Sequence, residues 1–391
     1  MNTPASKRHI TRRKYLTMLL WGIPAFSSIP SSFGESSEPI QKIIRQSLDK
    51  LASRQNDDGS FGASTELFGR DPAVSALSGL AFLASGSLPA RGSYGENLTK
   101  ITTYLLSCSH QINERQDGFS NMDSPYNQAA KEYAIDNNLD LRQLEGLIAN
   151  LRVKGQKPLY GHSYATLFLA EILGTINNES IRLRTKQAID LIVRTQNAEG
   201  GWRYTPSPVA LADISVTVCQ ISALRACQNA GLYVPKDTIT RATDYIRSLQ
   251  NLDGGFRYMT PDGPSGYGRT AAAIHALQSG DDAFNYHDEI QRGFDYLESV
   301  YFKDSSLNES DEKIEYWTYA QFYAALAYWR AAVTDTARAK WQNFTQQVCQ
   351  DLLDRQSEDG LWSSSVSTEV ETAFALCTLL TFQENAPFFL R

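Results

Sequence analysis

Gln196-Asn-Ala-Glu-Gly-Gly-Trp202 is followed, one period later, by Gln250-Asn-Leu-Asp-Gly-Gly-Phe256. The same sentence of residues recurs as Gln55-Asn-Asp-Asp-Gly-Ser-Phe61 and Gln356-Ser-Glu-Asp-Gly-Leu-Trp362. A looser copy runs from Gln111 to Gln116-Asp-Gly-Phe119. Self-similarity at a fixed period decides a fold before any single residue can. Glutamine-to-glutamine intervals near 54 residues recur; the interval from Gln250 to Gln356 is twice that, which predicts a degenerate copy near Tyr301 to Ser306. The longer interval from Gln111 to Gln196 is one period plus an insertion at about 121–158, with a helix expected at Leu139–Leu151. Six units result.

Each unit carries two helical stretches around the turn. The stretch before the glutamine mixes apolar and charged residues at helical spacing, as in Ala188-Ile189-Asp190-Leu191-Ile192-Val193-Arg194, the pattern of a half-exposed helix. The stretch after the turn is small and apolar on most faces, as in Pro72–Ala84 or Asp213–Ala230, and such helices are buried on most faces. Six outer and six inner helices predict an all-α (α/α)6 toroid, with a helical insertion between the second outer and second inner helices. One domain spans 40–385. In the turn, glycine permits positive φ, the glutamine amide reaches orphan backbone groups at neighbouring helix ends, and the aromatic seals the gap.

Residues 1–34 are set apart from this scheme. Lys7, Arg8, Arg12, Arg13 and Lys14 precede a broken apolar run, and Thr11-Arg12-Arg13-Lys14-Tyr15-Leu16 looks like a twin-arginine export signal. A Sec signal containing paired arginines and an uncleaved anchor are the alternatives. Without this segment the chain has 32 Lys and Arg against 43 Asp and Glu. An acidic surface with no basic cluster argues against nucleic acid or anionic lipid as a partner. The five cysteines are odd in number and none forms a Cys-x-x-Cys pair, so buried thiols are expected rather than a disulfide framework. No cofactor motif is present.

Gln196 to Trp202 and Gln356 to Trp362 are similar to the QW motifs of squalene–hopene and other triterpene cyclases. Gln250 to Phe256 resembles the Gly-Gly-Phe repeat of protein prenyltransferase β-subunits. Tyr160-Gly161-His162 and Asp213-Ile214-Ser215-Val216-Thr217 look like segments of exported bacterial proteins with prenyltransferase/squalene-oxidase repeats. The resemblance covers residues 40 to 385 and implies the toroid fold and isoprenoid ligands. It does not carry over the chemistry intact. Where prenyltransferases hold zinc with Asp-x-Cys, this chain has Asp213-Ile214-Ser215, and Ser367-Thr368-Glu369-Val370-Glu371 offers no histidine, so a zinc site of the prenyltransferase type is not expected. Where cyclases carry Asp-x-Asp-Asp-Thr, only Asp213 survives, and a lone carboxylic acid of ordinary strength is a poor acid for an alkene.

What remains is a set of polar and aromatic residues at or near inner-helix starts, which in a toroid face one mouth of the ring. His162 is the candidate general base and Asp213 the candidate acid. Tyr164, Arg269, Trp317, Tyr319 and Glu371 are the candidate ligand-binding residues. Capping and dipole complementarity offer a purely structural account of Asp71 and Asp213, and an ion pair would account for Arg269. Three readings follow. The first is a protein that binds or acts on an apolar or isoprenoid ligand in the toroid centre. The second is a non-catalytic extracytoplasmic interaction protein, with a peptide or envelope partner. The third is a saccharide-active (α/α)6 enzyme using Glu369, Glu371 and Asp213.

Overall fold

The computed structural model describes residues 37–62, 70–110, 125–152, 157–279, 283–301, 314, 316–364 and 367–383. The signal-like segment, the copy at Gln111–Phe119 and, apart from Tyr301, the degenerate copy near Tyr301–Ser306 lie outside them. The outer helices are α1 (Ser37–Ser53), α3 (Gly95–Ser107), α6 (Glu179–Thr195), α8 (Lys236–Ser248), α10 (His287–Tyr301) and α12 (Asp335–Arg355). The inner helices are α2 (Pro72–Ala84), α5 (Pro158–Thr175), α7 (Ile214–Asn229), α9 (Tyr267–Gln278), α11 (Trp317–Ala331) and α13 (Thr368–Phe382). Each inner helix packs on the next, and α13 packs on α2, so the inner ring closes as an (α/α)6 toroid. Helix α4 (Pro125–Asp136) lies in the insertion, between the second outer and second inner helices.

The repeated turn is a strap between neighbouring units. Each of these glutamine amides donates to the glycine carbonyl of its own turn and, in the three copies at Gln55, Gln196 and Gln250, to a backbone carbonyl of the next outer helix. Gln55 reaches Gly59 and Asn97, Gln196 reaches Gly200 and Thr238, and Gln250 reaches Gly254 and Glu289, all at 2.7–3.1 Å. Gly200 sits at φ +99°, and a Cβ there would lie 2.3 Å from the Arg241 carbonyl oxygen, so only glycine lets the turn touch the next helix. The last copy closes the circle: Gln356 donates to Gly360 O and to Ser47 Oγ of α1, and Ser47 donates to Gly360 O at 2.7 Å. The aromatic is tied inward. Backbone N–H groups of Phe61, Trp202, Phe256 and Trp362 donate to hydroxyls of Ser75, Thr217, Thr270 and Thr372 on the inner helices at 3.0–3.1 Å.

The second unit obeys the same rules with other residues. The helix expected at Leu139–Leu151 is instead a 3₁₀ turn, Leu141–Leu144, followed by Gly146 at φ +79° and a short extended run. Gly146 makes the same close approach as its counterparts, with a would-be Cβ 2.3 Å from the Gln187 carbonyl of the next outer helix. Its N–H donates to His110 O, and Ala149 N–H to Cys108 O, pairing the run against the end of α3 instead of coiling it. Ile148 stands where the other units have Phe or Trp, and its N–H donates to His162 Nδ1 at 3.1 Å. The described turn of the second unit therefore closes at Gly146–Ile148, after the inserted residues. Arg194 of α6 donates to the Gln143 and Glu145 carbonyls, stitching the insertion to the outer ring.

Candidate functional site

All inner helices start on the strap side of the ring, so their N-termini form one mouth and their C-termini the other. Asp213 caps α7: Oδ1 accepts from Val216 N–H at 3.0 Å, as an N-cap should. Its other oxygen, Oδ2, is buried without a hydrogen-bond partner. Burial pushes this carboxyl up to about 6, although the Val216 amide, the Arg203 guanidinium and the nearby Tyr258 hydroxyl pull the other way. Tyr258 shares a 2.5 Å hydrogen bond with Tyr204, its counterpart one unit earlier. Lys157 and Arg203 lie over the Tyr204 ring at 4.3 and 5.3 Å.

The centre of the ring, below Asp213, is filled with aromatic rings. Tyr319 packs on Tyr323 and Phe374, with centroids 4.8 and 5.7 Å away, and Phe322 also meets Phe374. Tyr164 hydroxyl lies 3.2 Å from that of Tyr323, which lies 3.7 Å from Cys219 Sγ. The buried Tyr319 hydroxyl has no hydrogen-bond partner, and its neighbours include Ser215 and Tyr160. Burial drives the Tyr160, Tyr164, Tyr319 and Tyr323 phenols far above their usual range, so all four are neutral. At the other mouth, a cleft of about 40 Å³ is bounded by Tyr164, His275, Tyr323, Arg225 and Arg330 among others.

Of the sequence candidates, the structure brings together Asp213, Tyr164 and Tyr319. It separates the rest. His162 is fully buried between α5, α6 and the insertion, accepting from Ile148 N–H and facing Ala188 O at 3.3 Å. Burial lowers it to about 3, and both nitrogens are occupied, so it has no lone pair for a ligand and takes the strap role of Thr217 in the next unit. Arg269 points away from the centre, donating to Pro264 O and lying against Gly266. Trp317 lies under the Arg355 guanidinium of α12 at 4.4 Å, on the outer side of its helix. Glu371 is buried and accepts from Thr318 and from Ser364. Glu369, beside it, is ion-paired at 2.6 Å to Arg54, the residue just past α1, a second latch between last and first units.

Two residues that sequence reasoning did not single out belong to these mouths. Tyr258 was visible only as one half of the repeated Arg-Tyr dipeptide, Arg203-Tyr204 and Arg257-Tyr258. His275 sat in a small-residue helix without a motif, and no sequence signal marks it. Gly161 explains its own place between Tyr160 and His162: a Cβ there would lie 2.5 Å from Asp71 Oδ1, the N-cap of α2. All five cysteines are buried free thiols, and burial raises each of them. Among the described residues there is no group of three or more metal-ligating side chains, and no helix long and apolar enough to cross a membrane.

A family model for the squalene-hopene cyclase C-terminal domain matches residues 164–343. Drimenyl diphosphate synthase of Streptantibioticus cattleyicolor is 35% identical over 88 residues, which is 22% of this chain and 16% of that protein. The match thus spans a small fraction of that relative's length. Among solved structures, the type II terpene cyclase MstE from Scytonema superposes with a TM-score of 0.53 at 14% identity, over 89% of this chain and 99% of that one. The GH76A α-1,6-mannanase from Salegentibacter sp. HEL1_6 gives 0.56 at 9% identity, over 89% and 99%. Identities this low establish the toroid and nothing of its chemistry. The cyclase family model lies across four of the inner helices, and the closed ring of paired helices around them is the α/α toroid fold that this chain shares with type II terpene cyclases.

Proposed function

We propose that this protein binds an isoprenoid or similarly apolar ligand at the tyrosine-lined mouth above Asp213, in an extracytoplasmic compartment. The observation that carries the reading is the Asp213 carboxyl, enclosed among neutral phenols with Oδ2 unpartnered. A carboxyl near 6 is half-protonated at about pH 6 and keeps its proton in roughly a tenth of the molecules at pH 7, so its protonated form can donate to an oxygen-bearing ligand. It is too weak an acid for an unactivated alkene, whose protonation in this fold would call for neighbouring carboxylates that this chain lacks. Phenol rings suit an apolar chain and any positive charge developing along it. Structures of an MstE variant hold geranylgeranyl dihydroxybenzoate, which supports the ligand class without assigning it here.

The filled centre favours a second reading, an interaction protein presenting one face of the toroid. The saccharide reading has the least support: Glu369 is held by Arg54, and Glu371 by two hydroxyls, so neither is poised as a free acid or nucleophile. Mass spectrometry of lipids extracted from purified protein separates the first two. Retention of a prenyl compound by the parent and its loss in Asp213→Asn support the ligand reading; a lipid-free parent that still captures an envelope component sinks it. Export is tested apart. Replacing Arg12 and Arg13 by lysine should abolish export by the twin-arginine route, and unchanged export would point to Sec.

A further inference from the structure

Asp213 is 0% exposed, so a ligand reaches its carboxyl only if something beside it moves. Its neighbours towards solvent are Tyr204 and Tyr258, each half-buried. They hold the same place in the Arg-Tyr dipeptides after two successive straps, and their hydroxyls meet at 2.5 Å. The Tyr258 hydroxyl also lies beside the Asp213 carboxyl. Both backbones are fixed. Tyr204 O accepts from Leu159 N–H of α5 and Tyr258 O from Ile214 N–H of α7, both at 3.0 Å. Each loop is also tied to its own strap, Asn197 Nδ2 donating to Ala210 O at 3.0 Å and Asn251 Nδ2 to Gly263 O at 3.1 Å. Parting the loops would break these buried bonds, which leaves the side chains as the cheaper thing to move.

The two side chains are not held alike. Lys157 and Arg203 lie over the Tyr204 ring at 4.3 and 5.3 Å and steady it. Around Tyr258 the contacts between the two loops are looser: Arg203 Nη1 stands 3.5 Å from Met259 Sδ, and Thr260 donates to Glu199 at an exposed edge. A bond between two neutral phenols at a wet edge has water as a ready replacement.

We propose that Tyr258 is the moving leaf of a side-chain gate over Asp213, with Tyr204 as its fixed post, and that an apolar ligand enters when the leaf swings and the phenol pair parts. This rests on the Asp213 mouth being the ligand site and adds how that site is reached.

The test uses the full chain and an internal reference. Asp71 caps α2 as Asp213 caps α7 and is likewise buried, but it belongs to the first unit, away from the gate. At about pH 5, below the value near 6 that burial gives both carboxyls, each is mostly in the protonated form that a carbodiimide activates. Labelling with carbodiimide and an amine is followed by peptide mass spectrometry. Asp213 should label roughly fivefold faster in Tyr258→Phe than in the parent, as loss of one net hydrogen bond implies, and faster still in Tyr258→Ala, with Asp71 unchanged. An Asp213-to-Asp71 ratio equal in parent and variants overturns the gate. Should both carboxyls speed up together in Tyr258→Ala, that variant has loosened, and the ratio in Tyr258→Phe, which keeps the ring, decides. Farnesol uptake, read by tryptophan fluorescence, tests the ligand reading apart. Faster uptake in Tyr258→Ala supports both; gated labelling with no uptake in either chain sinks the ligand reading and leaves the gate standing.

Discussion

The strap-side mouth and the opposite mouth are built from the same helices, yet the first gathers a carboxyl and phenols while the second gathers guanidinium groups and an imidazole. Helix α7 supplies Asp213 at its start and Arg225 near its end; α11 supplies Tyr319 at one end and Arg330 at the other. The inner helices run parallel around the ring, so their dipoles add, leaving the N-terminal mouth partly positive and the C-terminal mouth partly negative. Acids at one end and cations at the other are what that polarity favours. The dipole explains the sign of each mouth. It does not explain a buried carboxyl oxygen or a buried imidazole nitrogen without a partner, and those two atoms are where function is to be sought.

The aromatic layer that keeps the mouths apart is the first thing to break. Tyr323 touches rings or thiols on α5, α7 and α9 and is 2% exposed, so Tyr323→Ala should cost about 3–5 kcal/mol in denaturant unfolding. A shift below about 1 kcal/mol would mean that the layer is loose and the two mouths already one cavity.

The second way is pH, because the mouths respond in opposite senses. Asp213 holds its proton more tightly folded than unfolded, so its contribution to stability is complete below 3.8 and lost as pH rises through about 6. His275, lowered to about 3 by burial and by Arg330, contributes fully above 6.5 and loses it as pH falls towards 3. Asp213→Asn keeps a capping oxygen. It should therefore gain about 2 kcal/mol on the parent between pH 4 and pH 8, whereas His275→Leu should gain about 3 kcal/mol in the reverse direction. Urea midpoints at the two pH values decide, and parallel responses would remove the contrast. The smallest effect is local: Tyr258→Phe deletes the phenol pair with Tyr204 and should lower stability by about 1 kcal/mol in denaturant unfolding.

The ring itself was legible in the repeated turn, because strap chemistry demands glycine and an amide at fixed places. The second unit was misplaced for a physical reason. Gln116-Asp-Gly-Phe119 has the letters of the turn, but Gly146, one full period before Gly200, occupies its place in space. Read by glycine spacing, the sequence would have placed it there and cast His162 as the counterpart of Thr217. Which inner-helix residues face the centre was not legible. Helices apolar on every side carry no stripe to orient them, so Tyr319 and Trp317, two positions apart, could not be told inward from outward. His275 was invisible for the same reason.

Ser47, Gly360, Gln356, Arg54 and Glu369 join the chain's two extremes as closely as any two adjacent units. An open array of repeats needs special end pieces to cover its exposed faces; here the first and last described units cover each other. New termini cut at another loop of the C-terminal rim, such as the one at Gly231, with a linker joining α13 to α1, would leave every strap in place. The seam between α13 and α1 is, for the strap chemistry, one joint among six.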